Sequence, residues 1–254
     1  MEGSPGRLAE EAVTNKLWLL ATVVVAAVAI TALLPRIPQD PAYHRFADAR
    51  ELLGIPNALD VLSNLPFLLV GILGLRLRPK LPFVVCFAGV VLTAFGSSWY
   101  HWAPSNATLV WDRLPMTLGF MGLLAAVIAD QLSERVGLAL LGPLLIAGVA
   151  SVFYWQYTEQ AGAGDLRPYL LVQFGPLPLI PMLITLFPKR YTHTERWYWI
   201  IGWYAIAKIL ELADAPIFAA TGGIVSGHTL KHLAAAWACY EIVRMLNVRR
   251  PICA

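Results

Sequence analysis

Charge is what this sequence has least of. Only 14% of its 254 residues are Asp, Glu, Lys or Arg, against about 25% in ordinary soluble domains. A surface kept in water by charged side chains is therefore excluded as the main design. The basic residues fall in short caps at the ends of apolar runs, so no face suited to nucleic acid is expected. Cysteine is scarce too. Cys86, Cys239 and Cys253 are odd in number and lie in or beside apolar runs, which reads as soft apolar filler rather than a disulfide framework or metal cluster. There is no internal repeat, no low-complexity run and no linker long enough to divide the chain into separate domains. Nor is a cleavable signal peptide legible, because Leu17 to Leu34 is too long for a typical signal core and no small-residue cleavage pattern follows it.

What is abundant is apolar side chain, 58% of the chain, at a mean hydropathy of +0.62. Crossing a bilayer core of about 30 Å takes roughly 20 mainly apolar residues. Runs of that kind are expected at about 17–34, 58–75, 82–101, 108–129, 137–155, 168–187, 197–216 and 227–246. Backbone polar groups in lipid must be satisfied within the segment, so the spans are helices and the class is an all-α integral membrane protein. Residues 1–16 read as a polar tail, and 39–56, polar and aromatic, as a short surface helix.

An even number of spans puts both ends on one side. Arg76, Arg78, Lys80, Arg135, Lys189, Arg190, Arg196, Arg244, Arg249 and Arg250 all fall on the terminal face. By the positive-inside rule both termini are expected in the cytoplasm. His101, Asp112 and His228 then come together near the non-cytoplasmic surface.

These residues carry the chemistry. Ser97 and His101 are spaced i, i+4 near the end of one span, and His228 and His232 repeat that spacing near the start of another, so each pair shares a helix face. Asp112 opens the span after His101. Three imidazoles with an open position are the usual donor set of a catalytic zinc, whereas structural zinc sites are more often closed by cysteines. Asp112 could take a proton from water, and Ser97 could donate to that water or to a developing oxyanion. The alternative is a structural polar cluster, since a lone H-x-x-x-H arises by chance. Lys208, Glu211 and Asp214 lie on roughly one face and read as an internal ion pair, with Lys231 a further partner. A proton or ion transporter built on those three is a rival, weakened by the lack of an internal repeat. Trp99, Tyr100, Trp102 and Trp111 read as an interfacial aromatic belt. His44 and His193 have no expected partner.

The combination resembles the CREST superfamily of membrane hydrolases, whose members include alkaline ceramidases, adiponectin and progestin receptors and GPI-anchor remodelling proteins. Within it the chain is most similar to the alkaline ceramidase (alkaline phytoceramidase-like) branch. The carrying segments are Leu53 to Asn57, Ser63 to Phe67, Phe95 to His101, Trp111 to Met116 and Ser226 to His232. The resemblance implies a seven-helix core bundle, with residues 1–41 adding a cytoplasmic tail and one extra N-terminal transmembrane helix to a catalytic region at 42–254. It implies Zn2+ on His101, His228 and His232, Asp112 as base, Ser97 as transition-state partner, and hydrolysis of a ceramide-like amide to a sphingoid base and a fatty acid. The lipid would arrive sideways from the bilayer. Two alternatives within the resemblance are a lipid-binding receptor without efficient turnover and a hydrolase of another acylated lipid. Animal alkaline ceramidases bind calcium through an acidic D-W-C-E segment that is missing here, and Asn57 stands where that branch has a later acidic ligand, which puts calcium in doubt. Asp48, Glu51 and Asp60 could form a different oxygen site, but they read first as solvated acids and a helix cap.

Overall fold

A computed structural model describes residues 5–252, and Cys253 lies outside them. Among the described residues the chain is all-helical, with only isolated bridges (Leu52 with Ile55, Tyr191 with Pro251) and no strand. The helices are α1 (Pro5–Leu33), α2 (Ala58–Leu62), α3 (Leu65–Arg76), α4 (Leu81–Trp102), α5 (Asn106–Gln131), α6 (Glu134–Gln160), α7 (Arg167–Phe174), α8 (Pro176–Leu186), α9 (Arg196–Leu212), α10 (Asp214–Ala220) and α11 (Gly227–Val248). The segment before α2, expected to hold a surface helix, makes only a 3-10 turn at Pro41–His44.

Proline marks the first turn of α3, α4, α7 and α8, where its missing N–H costs nothing and its fixed φ suits the helix. α1 begins at Pro5, inside the stretch read as a polar tail, because Leu8-Ala9-Glu10-Glu11-Ala12 are good helix formers.

Six segments are long and apolar enough to cross a membrane: Glu10–Leu33, Ala58–Arg76, Leu81–Trp102, Asn106–Gln131, Glu134–Gln160 and Arg167–Leu186. The chain is thus a multi-pass membrane protein. The other two expected spans fall on α9 with α10 and on α11. α9 has 17 residues, and α11 carries His228, Lys231, His232, Glu241 and Arg244.

α4 packs on α5 and α3, α5 on α6 and α8, α8 on α9, α9 on α11, and α11 back on α3, which closes a ring. Its centre is apolar, with Phe83, Phe87, Met121, Ile180, Trp197 and Met245 buried in one cluster. α1 lies outside the ring against α7 and α8, with none of its apolar stretch buried. Arg167 fixes its end by donating from Nη1 to the carbonyl of Ala32 (3.0 Å).

Two glycines let helices approach where the histidines sit. A Cβ on Gly96 of α4 would collide with the Trp111 carbonyl of α5, the residue before Asp112. A Cβ on Gly227 would collide with the Leu210 carbonyl of α9, beside His228. Small residues at such crossings are how membrane helices gain close contact without a hydrophobic driving force.

Candidate metal centre

The ring brings the distant histidines together. His101, near the end of α4, and His228 and His232, one turn apart on α11, are each 1–5% exposed. One ligand nitrogen from each lies within 4.8 Å of the others, so the three can hold a metal ion. Their ring centroids are 4.8, 4.8 and 5.1 Å apart.

Neighbouring groups fix how the rings face. The hydroxyl of Ser63 donates to the Asp60 carbonyl (3.0 Å), so at 2.7 Å it accepts from Nδ1–H of His232. That assigns the tautomer and leaves the Nε2 lone pair of His232 free, the arrangement seen around metal-bound histidines. His101 Nδ1 is buried without a hydrogen-bond partner, and Nε2 of His101 and Nε2 of His228 face each other at 3.4 Å. The backbone N–H of His228 donates to Asp214 Oδ1 (2.8 Å), which pins the start of α11. Asn57, in the left-handed region at φ +46, donates from Nδ2 to the His101 carbonyl (2.7 Å) at the end of α4.

The segment before α2 covers the site. Phe46 lies 4.7 Å from the His101 ring and 4.8 Å from that of His228. Arg50 holds this cover in place by donating to Asp48 and, at 2.8 Å, to the Ile224 carbonyl. The same guanidinium holds the Asp48 carboxyl below its ordinary pKa by hydrogen bonding to the charged form.

Asp112 and Ser97, 8% and 3% exposed, meet His232 on the wall of a cavity of about 330 Å³. Beyond them the cavity runs between apolar side chains, among them Phe67, Val90, Met116, Phe120, Ile180 and Ile201. Its other polar lining includes Gln39, Tyr43, Arg113, Lys208, Glu211 and Lys231. The arrangement puts one imidazole of the buried donor set, a carboxylate and a hydroxyl on the wall of one largely apolar cavity.

The expected internal ion pair forms: Glu211 accepts from both Lys208 and Lys231, the latter at 2.7 Å, while Asp214 is spent on backbone N–H groups of Ala47 and His228. Other expectations need correction. Asp60, read as a solvated acid, is fully buried and accepts from Thr229 Oγ1 at 2.6 Å. Asp48, Glu51 and Asp60 do not gather into a metal-binding group: Asp48 is paired with Arg50 and Glu51 is exposed. Tyr100 is buried at 1% exposure, while Trp99, Trp102 and Trp111 face outward. His44 does have partners, the Tyr100 hydroxyl (3.0 Å) and Asn106 Oδ1 (2.9 Å), and His193 approaches Glu195 at 3.3 Å. Phe46 and the bonding roles of Asn57 and Ser63 were missed, because the first two stand in the irregular segment before α2, Ser63 stands in the turn between α2 and α3, and no periodicity announces them.

No family model, curated protein or solved structure matches the chain.

Proposed function

We propose that the protein is a zinc-dependent intramembrane hydrolase of an amide-linked lipid, of which a ceramide is the type suggested by the sequence resemblance. The observation that carries this reading is a cluster of three buried imidazoles, one of which, His232, shares the wall of a largely apolar cavity with Asp112 and Ser97. One spacing fits a tetrahedral ion such as zinc: two nitrogens held about 2.1 Å from it are about 3.4 Å apart. The His101 and His228 Nε2 atoms are separated by 3.4 Å, which is long for a hydrogen bond between nitrogens. Bound there, zinc would supply the Lewis acidity that makes water nucleophilic near neutral pH.

The chain's own residues do the rest. Asp112 takes the proton of the attacking water and passes it to the leaving amine. Ser97 donates a hydrogen bond to the carbonyl oxygen as charge develops on it, an effect worth about 2.7–4 kcal/mol per donor in well-studied hydrolases. The apolar walls hold the acyl chain and keep bulk water from the amide. In this reading α9 and α11 also span, giving eight spans with cytoplasmic termini and the site toward the opposite face.

Two measurements test the proposal. Purified protein should carry about one zinc per chain, lost in His228→Ala. It should release fatty acid from a labelled ceramide or another N-acyl lipid, and His101→Ala and Asp112→Asn should abolish that release. Tight lipid binding with no turnover would replace the hydrolase by a receptor of the same architecture.

A further inference from the structure

Arg113 follows Asp112 on α5 and is 5% exposed. Its guanidinium lies 4.2 Å from the ring of Trp155, 4.7 Å from Tyr169 and 5.9 Å from Tyr43. One hydrogen bond is made, from Nη2 to Gln39 Oε1 (2.6 Å), and Nη1 is buried with no partner. Among the described residues Arg113 forms no ion pair. Glu159, which shares its neighbours, accepts instead from the Trp155 indole (3.2 Å) and the Gln39 backbone.

An arginine is almost never fully buried unless it is paired, and inside a membrane such a residue is a functional site by default. Arg113, Gln39, Tyr43 and Tyr169 all line the cavity that reaches Asp112. The partner that the guanidinium lacks is thus one the cavity can admit. We infer that Arg113 binds a carboxylate of the lipid held in this cavity.

Lys208 and Lys231 already share Glu211, so Arg113 is the cation of the lining that has no carboxylate of its own. A carboxylate offsets that single charge and suits the two-armed geometry of a guanidinium. The flanking rings hold the guanidinium in place, so little freedom is lost on binding.

The inference rests on reading this cavity as the lipid site, and it sharpens the substrate class. Two sources of the carboxylate remain: the head group of an uncleaved N-acyl amino acid, or the fatty acid released by hydrolysis. Isothermal titration of the full-length protein with N-lauroylglycine, laurate and neutral N-lauroylethanolamine separates them. At least one carboxylate should bind ten times or more tighter than the ethanolamide, and Arg113→Gln should bring that ratio close to one. N-lauroylglycine as the tighter ligand identifies a head group, and laurate identifies a released acid. Equal binding of all three by the native protein overturns the inference, and needs no variant that folds. So does a preference that survives intact in an Arg113→Gln protein with native melting. A carboxylate preference without turnover leaves this inference standing and sinks the hydrolase reading. Turnover of a neutral ceramide with no carboxylate preference does the reverse.

Discussion

At the scale of single residues, part of the candidate site is held by hydrogen-bond partners. Ser63 is the clearest case, since its hydroxyl is committed to the Asp60 carbonyl and leaves only a lone pair for His232 Nδ1–H. Ser63→Ala should lower zinc affinity about 10–100-fold, the usual cost of losing such an outer partner, with the histidines untouched. Competition with a chromophoric chelator measures it, and unchanged affinity would leave Ser63 a packing residue only. A second residue-scale effect lies outside the spans. Arg167 hydrogen-bonds Asp165 at 2.8 and 2.7 Å and lowers its pKa from the ordinary value to about 2. A free aspartate titrates near 3.9, so the stabilisation is complete above that pH and is lost as the pH falls toward 2. Asp48 beside Arg50 shifts in the same direction. Thermal unfolding followed from pH 5 to pH 2 should show a falling midpoint, with a shallower slope in Asp165→Asn.

At the scale of elements, site formation depends on how near the helices come. With a Cβ at position 96, α4 and α5 cannot keep their present separation at Trp111. Gly96→Ala should cost about 1–3 kcal/mol, as overpacking does, and should also weaken zinc binding by moving His101 away from α11. Melting and metal content measured on one preparation would show whether the two losses go together. This is also where the reach of the sequence ends. The i, i+4 pairs Ser97 with His101 and His228 with His232 were legible because helical spacing alone puts each pair on one face. Counting eight spans led to the expectation of His101, Asp112 and His228 at one depth; that Asp112 lines a cavity with His232 is seen only in the fold. Gly96 was visible within the motif, yet its role exists only once Trp111 lies against it. Arg113, one residue from Asp112, carried no signal, because its isolation is a property of what surrounds it: three aromatic rings and a glutamine from segments far apart in the chain. Tyr100 went wrong for the same reason, an aromatic residue near a membrane surface being indistinguishable in sequence from one that packs on a histidine.

For the whole molecule, the question is whether two helices as polar as α9 and α11 cross the bilayer. Their charges are mutually satisfied. Lys208 and Lys231 share Glu211, and Arg196 and Arg244 share Glu241, which is 4% exposed. Paired charges turned toward the bundle interior are the form in which ionisable groups are tolerated within spans. The alternative, six spans with α9 to α11 lying on one side, would leave His228 beside Lys189 and far in depth from His101, and the triad could not form. Single cysteines placed at Ala107, Lys189 and Ile224 in a background free of native cysteine decide the matter with a membrane-impermeant maleimide in sealed vesicles. Ala107→Cys and Ile224→Cys should label from the same side and Lys189→Cys from the other. Labelling of Ile224→Cys together with Lys189→Cys would remove the eight-span arrangement and the proposed zinc site with it, because both depend on α4 and α11 presenting His101 and His228 at one depth.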